Sequence, residues 1–242
     1  MGLRMFVDFD GTVTREDVGN AFFRTFGGPV CDESIRAYRE GSISATECFT
    51  REAAAVGAFK RDEALGFFRD REIDPTFPHL LGYAQQSGIE LTILSDGLDL
   101  YIREILDANG LTGIPFFANE GSFRPARVPG EVTLGLSFPY QDQECTRCAC
   151  CKRNIMLTQS SEKDIILLVG EGYSDRCPAR YADVVFAKAD LQTYCQRENI
   201  SYFPYQSFRD VVSHLEKAMG SGRPFRKRTR AELNRQEAFR TE

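Results

Sequence analysis

No run of apolar residues in the 242-residue chain approaches the length that spans a bilayer, which excludes a transmembrane helix. The opening stretch "MGLRMFVDFDG" lacks the charged-then-apolar layout of a signal peptide, so the expected location is cytoplasmic. Gly2 is not a myristoylation site, because Phe6 stands where that pattern wants Ser or Thr. Basic residues cluster mainly in the late segment "RPFRKRTR", and the formal net charge of -5 argues against generic binding of nucleic acid, whose phosphates demand a basic face. No internal repeat is present. The remaining expectation is a small-molecule enzyme or binding protein, monomer or homodimer, with neither nucleic acid nor membrane as a partner.

Cysteine is not lacking: there are eight, and "CTRCACC" holds Cys145, Cys148, Cys150 and Cys151. A long chain without an export signal suits reduced thiols better than a disulfide framework. Cys145, Cys148 and Cys151 have a spacing that could hold structural Zn2+, but the fourth ligand would have to come from afar, from Cys177 or Cys195. Reduced packing cysteines are the favoured reading, and structural Zn2+ is the alternative.

Strand-like runs recur at "LRMFVDFD", "IELTILSD", "IPFFAN", "DIILLVGEG", "DVVFAK" and "SYFPY", mostly separated by helical periodicity. That alternation predicts an α/β fold with a mostly parallel sheet covered by helices on both faces. Asp74 and Pro75 predict a helix start and Gly88 its end. Between the first strand and "IELTILSD" lies more chain than one crossover needs, rich in helix formers and with a Ser44-to-Glu47 capping box. A small helical insertion is therefore expected over residues 15–73, with the core formed by 1–14 and 74–218. "EVTLGLSF" suggests a hairpin excursion, and residues 219–242 read as a basic, solvated tail with a short helix at Thr229 to Glu232.

In an open α/β sheet the reactive crevice lies outside the carboxyl ends of the strands. The first strand ends in "DFDGTVT", with Asp8 and Asp10 two apart; another ends in "ILSDG", with Ser95; a third ends in "GEGYSD", with Glu171 and Asp175. Lys152 sits where a helix should open just before that third strand. Carboxylates crowded into one crevice repel unless a cation joins them, and an oxygen-only donor set favours Mg2+, with Mn2+ a possible substitute. Each residue alone has a plain alternative: a strand-end turn, a helix cap, a solvated lysine.

Together, in this order, the four motifs resemble those of the haloacid dehalogenase superfamily of phosphotransferases, and the helical insertion resembles the cap of its phosphoserine-phosphatase-like branch. "ILSDGLDLYI", "CTRCACCK" and "GYSDRCPARYADVVFAK" are similar to phosphatases of methionine salvage and to relatives that cleave phosphocholine and phosphoethanolamine. The resemblance implies a Rossmann-like core and hydrolysis of a small phosphate ester. It makes Asp8 the nucleophile that forms an aspartyl phosphate, Asp10 the acid and base, and Ser95 and Lys152 the holders of the phosphoryl oxygens. Mg2+ would be held by Asp8, the Asp10 carbonyl, Glu171 and Asp175. Thr12, Asp17, Gly97 and Tyr173 are the expected substrate-binding residues.

Asp17 also reads as a plain helix N-terminal acid. Arg36, Arg39 and Arg51 are candidate partners for a substrate carboxylate, and Phe23 with Tyr173 for an apolar group. The family usually has Asp where this chain has Glu171, one methylene longer. That substitution is the one feature favouring a non-catalytic phosphate-binding protein; the retained Asp10 opposes it.

Overall fold

The computed structural model describes residues 2–145, 147–220 and 225–240. Its centre is β1 (Leu3–Asp8), where every residue from Met5 to Asp8 is buried, as expected of a parallel strand covered on both faces. Alternate side chains divide between two cores: Met5 and Val7 face one with Leu167, Val169 and Ile93, while Phe6 faces the other with Ile166, Leu168 and Leu94.

The sheet order is β2 (Ala58–Phe59), β5 (Val132–Ser137), β4 (Phe116–Pro125), β3 (Glu90–Leu98), β1, β6 (Ile165–Gly170), β7 (Val184–Ala187) and β8 (Phe203–Pro204). Every pairing from β4 through β8 is parallel; β4–β5 and β5–β2 are antiparallel. The fold is thus mixed α/β on a mostly parallel eight-stranded sheet, with the expected hairpin formed by β4 and β5.

Between β1 and β3 run α1 (Val18–Gly27), α2 (Pro29–Arg39), α3 (Ala45–Val56) and α4 (Arg61–Arg69). Phe22 stacks among Phe23, Phe26, Phe59, Phe67 and Phe68, which gives these helices an aromatic centre. The segment is not strandless: Ala58–Phe59 extends the sheet beyond β5, and two residues are too short to carry a readable alternation. Ser44 caps α3 as predicted, its hydroxyl accepting from Glu47 N at 3.1 Å, but the Glu47 side chain turns to Arg51 instead of closing the box.

The helix α5 (Phe77–Gln86) begins later than Pro75. Asp74 first forms a turn, its side chain accepting from Thr76 N at 2.7 Å and its carbonyl from Phe77 N at 2.9 Å. The remaining helices are α6 (Asp99–Ala108), α7 (Lys152–Thr158), α8 (Arg176–Ala179), α9 (Ala189–Arg197), α10 (Phe208–Gly220) and α11 (Thr229–Arg240). α11 is docked where the polar composition suggests a solvated tail. Ala231 is buried, Arg235 meets the buried Asp183 at 2.9 Å, and Asn234 donates to the Arg180 carbonyl at 2.8 Å. Its polar residues are spent on acceptors of the core, a use that composition does not reveal. Among the described residues, no helix is long and apolar enough to cross a membrane.

Candidate active site

The site begins where β1 ends. Asp8 is followed by the turn Phe9–Val13, in which Gly11 has φ +71°. A Cβ on Gly11 would lie 2.3 Å from Glu171 Oε1, so both the backbone conformation and the approach of that carboxylate require glycine. Glu171 therefore reaches back over the β1 turn.

Lys152, at the start of α7, is 1% exposed and lies between two buried acids: Nζ donates to Asp8 Oδ1 at 2.5 Å and to Asp175 Oδ1 at 2.7 Å. Its two carboxylate partners outweigh burial and raise its pKa, so it stays an ammonium ion. Thr12 donates to the other oxygen of Asp8 at 3.1 Å, which fixes the carboxylate plane. Asp175 Oδ2 accepts from Glu171 N at 3.1 Å and Gly172 N at 3.0 Å, tying the loop after β6 to Lys152. Burial and the charge of Asp175 raise the pKa of Asp8, with Lys152 opposing: one ammonium does not neutralise this group of acids.

Asp10 is held on all sides. Oδ1 accepts from Val18 N at 3.0 Å and Gly19 N at 3.3 Å, the free amides at the start of α1; Oδ2 accepts from Tyr101 Oη at 2.7 Å and Ser95 Oγ at 3.2 Å. Burial, with help from the charge of Asp17, pushes its pKa up to about 7. Ser95 reaches Asp10 because β3 leaves its register with β4 between Leu94 and Leu98. A Cβ on Gly97 would lie 1.6 Å from the Tyr101 hydroxyl, so glycine there is what lets Tyr101 reach Asp10.

A pocket of about 200 Å³ opens on Asp8, Asp10, Gly97 and Glu171 and continues between α1, α2 and α3. Asp17, Phe23 and Tyr173 are in its wall, as is Arg39 of the three candidate arginines; Arg51 pairs on the surface with Glu47 at 2.6 Å, and Arg36 is outside the wall. Thr12, Ser95, Lys152 and Asp175 stand behind the wall and act on it through Asp8, Asp10 and Glu171. Asp17 caps α1, accepting from Asn20 N at 2.8 Å, and also lines the pocket.

Several wall residues had no signal in the sequence reading. Tyr38, Cys48, Phe49 and Glu52 lie on helices whose spacing suggests only amphipathic packing. Asp96 accepts from Ala149 N at 3.0 Å and Cys150 N at 2.7 Å, so the cysteine-rich segment is anchored to the end of β3 and delivers Lys152. Asp96 stands beside Ser95 in "ILSDG", but its partners come from a segment distant in sequence.

The zinc expectation is corrected. Among the described residues, no group of three or more His, Cys, Asp or Glu is arranged to hold a metal, and the cysteines are free. Cys148, Cys150 and Cys151 are buried, and burial raises all three thiols, which leaves them as protonated packing groups. The strand-end acids are likewise not closed on one point, since Lys152 occupies Asp8 and Asp175. Their donor chemistry, all oxygen and under-neutralised, nevertheless fits a hard divalent cation.

Acids at adjoining strand ends are thus bridged by a buried lysine beneath the helices that line the pocket. The fold agrees with a solved structure titled as a phospho-aspartyl intermediate analogue of phosphoserine phosphatase: TM-score 0.67, 13% identity, covering 88% of this chain and 98% of that one. A protein of Exiguobacterium sibiricum named 2-hydroxy-3-keto-5-methylthiopentenyl-1-phosphate phosphatase is 31% identical over 220 residues, 89% of this chain and 97% of its own. A Bacillus cereus protein of the same name is 26% identical over 226 residues, 91% and 99% of the two chains. The family model described as "Putative Phosphatase" matches residues 4–212, and the chain belongs to that phosphatase family.

Proposed function

We propose that this protein hydrolyses a small metabolite phosphate monoester through an aspartyl phosphate on Asp8, with Mg2+ as cofactor. The substrate we favour is the methylthio-ketopentenyl phosphate for which the relatives are named. The observation that carries the reading is the pair of acids two residues apart in different states of restraint. Asp8 is fixed by Lys152 and Thr12, whereas Asp10 is held by Tyr101 and Ser95, and both line the pocket.

Asp8 attacks phosphorus as the ester oxygen leaves, and the Asp10 carboxyl gives that oxygen its proton. Asp10, now ionised, takes a proton from the water that cleaves the aspartyl phosphate. Lys152 favours the ionised form of Asp8 and orients it, and its positive charge offsets the charge spread over the phosphoryl oxygens. Asp8, the Asp10 carbonyl, Glu171 and Asp175 would hold Mg2+, which when bound supplies the positive charge that lets an anionic nucleophile meet a phosphate dianion. The segment 15–73 acts as a cap: Phe23, Tyr38, Arg39 and Phe49 cover the alcohol part of the ester and exclude water.

Phosphate release from a panel of small phosphomonoesters, with and without Mg2+ and with Asp8→Asn as the blank, tests the reading. Metal-dependent release that vanishes in Asp8→Asn supports it. A folded protein that binds phosphate esters without releasing phosphate would make it a phosphate-binding protein instead, with Glu171 the suspect.

A further inference from the structure

Deep on the cap side of the pocket stands a carboxyl that the mechanism above does not use. Glu52, on α3, is 4% exposed and lines the pocket, and its Oε1 has no hydrogen-bond partner. A buried polar atom without a partner costs stability, and such atoms are rare unless a ligand completes them. No described Lys or Arg forms an ion pair with Glu52. The titratable groups facing it are acids or thiols: Asp17 at the start of α1, Cys31 on α2 and Cys48 on its own helix, whose thiol hydrogen-bonds the carboxyl and leaves Oε1 open, while β5, packed against α3, carries none. Arg39 lines the same chamber, but its charge acts on Asp17.

We infer that Glu52 is the specificity-determining residue for the alcohol part of the ester, its neutral carboxyl donating a hydrogen bond to an uncharged oxygen, a ketone or hydroxyl. The inference rests on the phosphatase reading and narrows its substrate class. Three features of the chamber agree. Burial raises the Asp17 carboxyl while the charge of Arg39 opposes that, Phe23, Phe49, Tyr38 and Tyr173 supply apolar wall, and Glu52 adds a donor without adding charge. An alcohol with a polar oxygen and an apolar tail is complementary to that set. An ammonium-bearing alcohol would form an ion pair with Glu52 only as its anion, which burial opposes most strongly, with Asp17 second; together they push its pKa up to about 8.

Dihydroxyacetone phosphate, with an uncharged ketone, and phosphoethanolamine, with an ammonium, are the probes. Their kcat and KM are measured for the wild type, Glu52→Gln and Glu52→Leu on both sides of pH 8, and their binding to the Asp8→Asn form of each variant is followed by calorimetry. Glu52→Gln keeps a neutral donor and should match the wild type below pH 8 on the ketone ester, whereas Glu52→Leu should raise KM by about 10-fold, the effect of one lost hydrogen bond. Above about pH 8 the wild type should lose affinity as Glu52 ionises, and Glu52→Gln should not.

Normal turnover that ignores both substitutions would overturn the inference alone. So would tight binding of phosphoethanolamine that Glu52→Gln abolishes, because that result requires an anionic Glu52. If nothing turns over but the ketone ester still binds in a Glu52-dependent manner, the inference stands and the phosphatase reading fails.

Discussion

Replacing Lys152 by Met removes an ammonium from between two buried carboxylates while keeping an unbranched chain to fill its space. Asp8 and Asp175 are 4% and 0% exposed and meet Nζ at 2.5 and 2.7 Å, so neither can turn to water for replacement. Taking one partner from a buried ion pair costs about 3–5 kcal/mol. For a chain of this size that is a fall in Tm of roughly 6–20 °C at neutral pH. The pH dependence has a definite sign. Burial and mutual repulsion already raise Asp8, and without Lys152 the opposing effect is gone. The folded variant then binds protons that the unfolded chain has released above about pH 3.9, so its stability falls as pH rises from there toward the folded pKa. The deficit relative to wild type should therefore be largest at neutral and alkaline pH and narrow in acid. Thermal melts followed by circular dichroism, from acid to pH 8, measure it. A Tm within about 2 °C of wild type at neutral pH would refute the reasoning, since that is the behaviour of a solvated surface lysine.

Glu171→Asp should retain phosphatase activity, because the shorter carboxylate keeps its charge above the β1 turn; complete loss in a phosphate-release assay would show that the loop is built around the longer side chain. Gly97→Ala places a methyl group 1.6 Å from the Tyr101 hydroxyl, so Tyr101 must leave Asp10; kcat should fall by about 100-fold from the displaced acid, with KM little changed. A kcat within threefold of wild type would contradict that. Chelation of divalent ions should abolish activity and lower Tm, with Mg2+ restoring both; full activity after exhaustive chelation would rule out the metal's role.

The sheet is legible because parallel strands buried on both faces are short apolar runs, and β1, β3 and β6 carry or lead into the polar residues that mark the crevice. Asp8, Asp10, Ser95, Glu171 and Asp175 stand at those ends and Lys152 at a helix start, and the structure brings them together. What composition could not carry is contact. Glu52 sits at a helix position that periodicity assigns to packing, and Tyr101 reaches Asp10 only across the gap left by Gly97. The cysteine-rich segment resembled a metal site in spacing, whereas its backbone amides serve Asp96 and its thiols fill space. α11 read as solvated because its residues are polar, yet Arg235 and Asn234 answer buried or carbonyl acceptors that only the tertiary structure supplies.

The central claim is that phosphate passes through Asp8. The most direct test is to mix the enzyme with Mg2+ and a turned-over phosphate ester, quench within one turnover, reduce with borohydride and locate the product by peptide mass spectrometry. Reduction of an acyl phosphate converts aspartate to homoserine, so the account predicts homoserine at position 8, absent when ester is omitted and absent in Asp8→Asn. Rapid phosphate release with Asp8 unmodified, or undiminished turnover by Asp8→Asn, would contradict it.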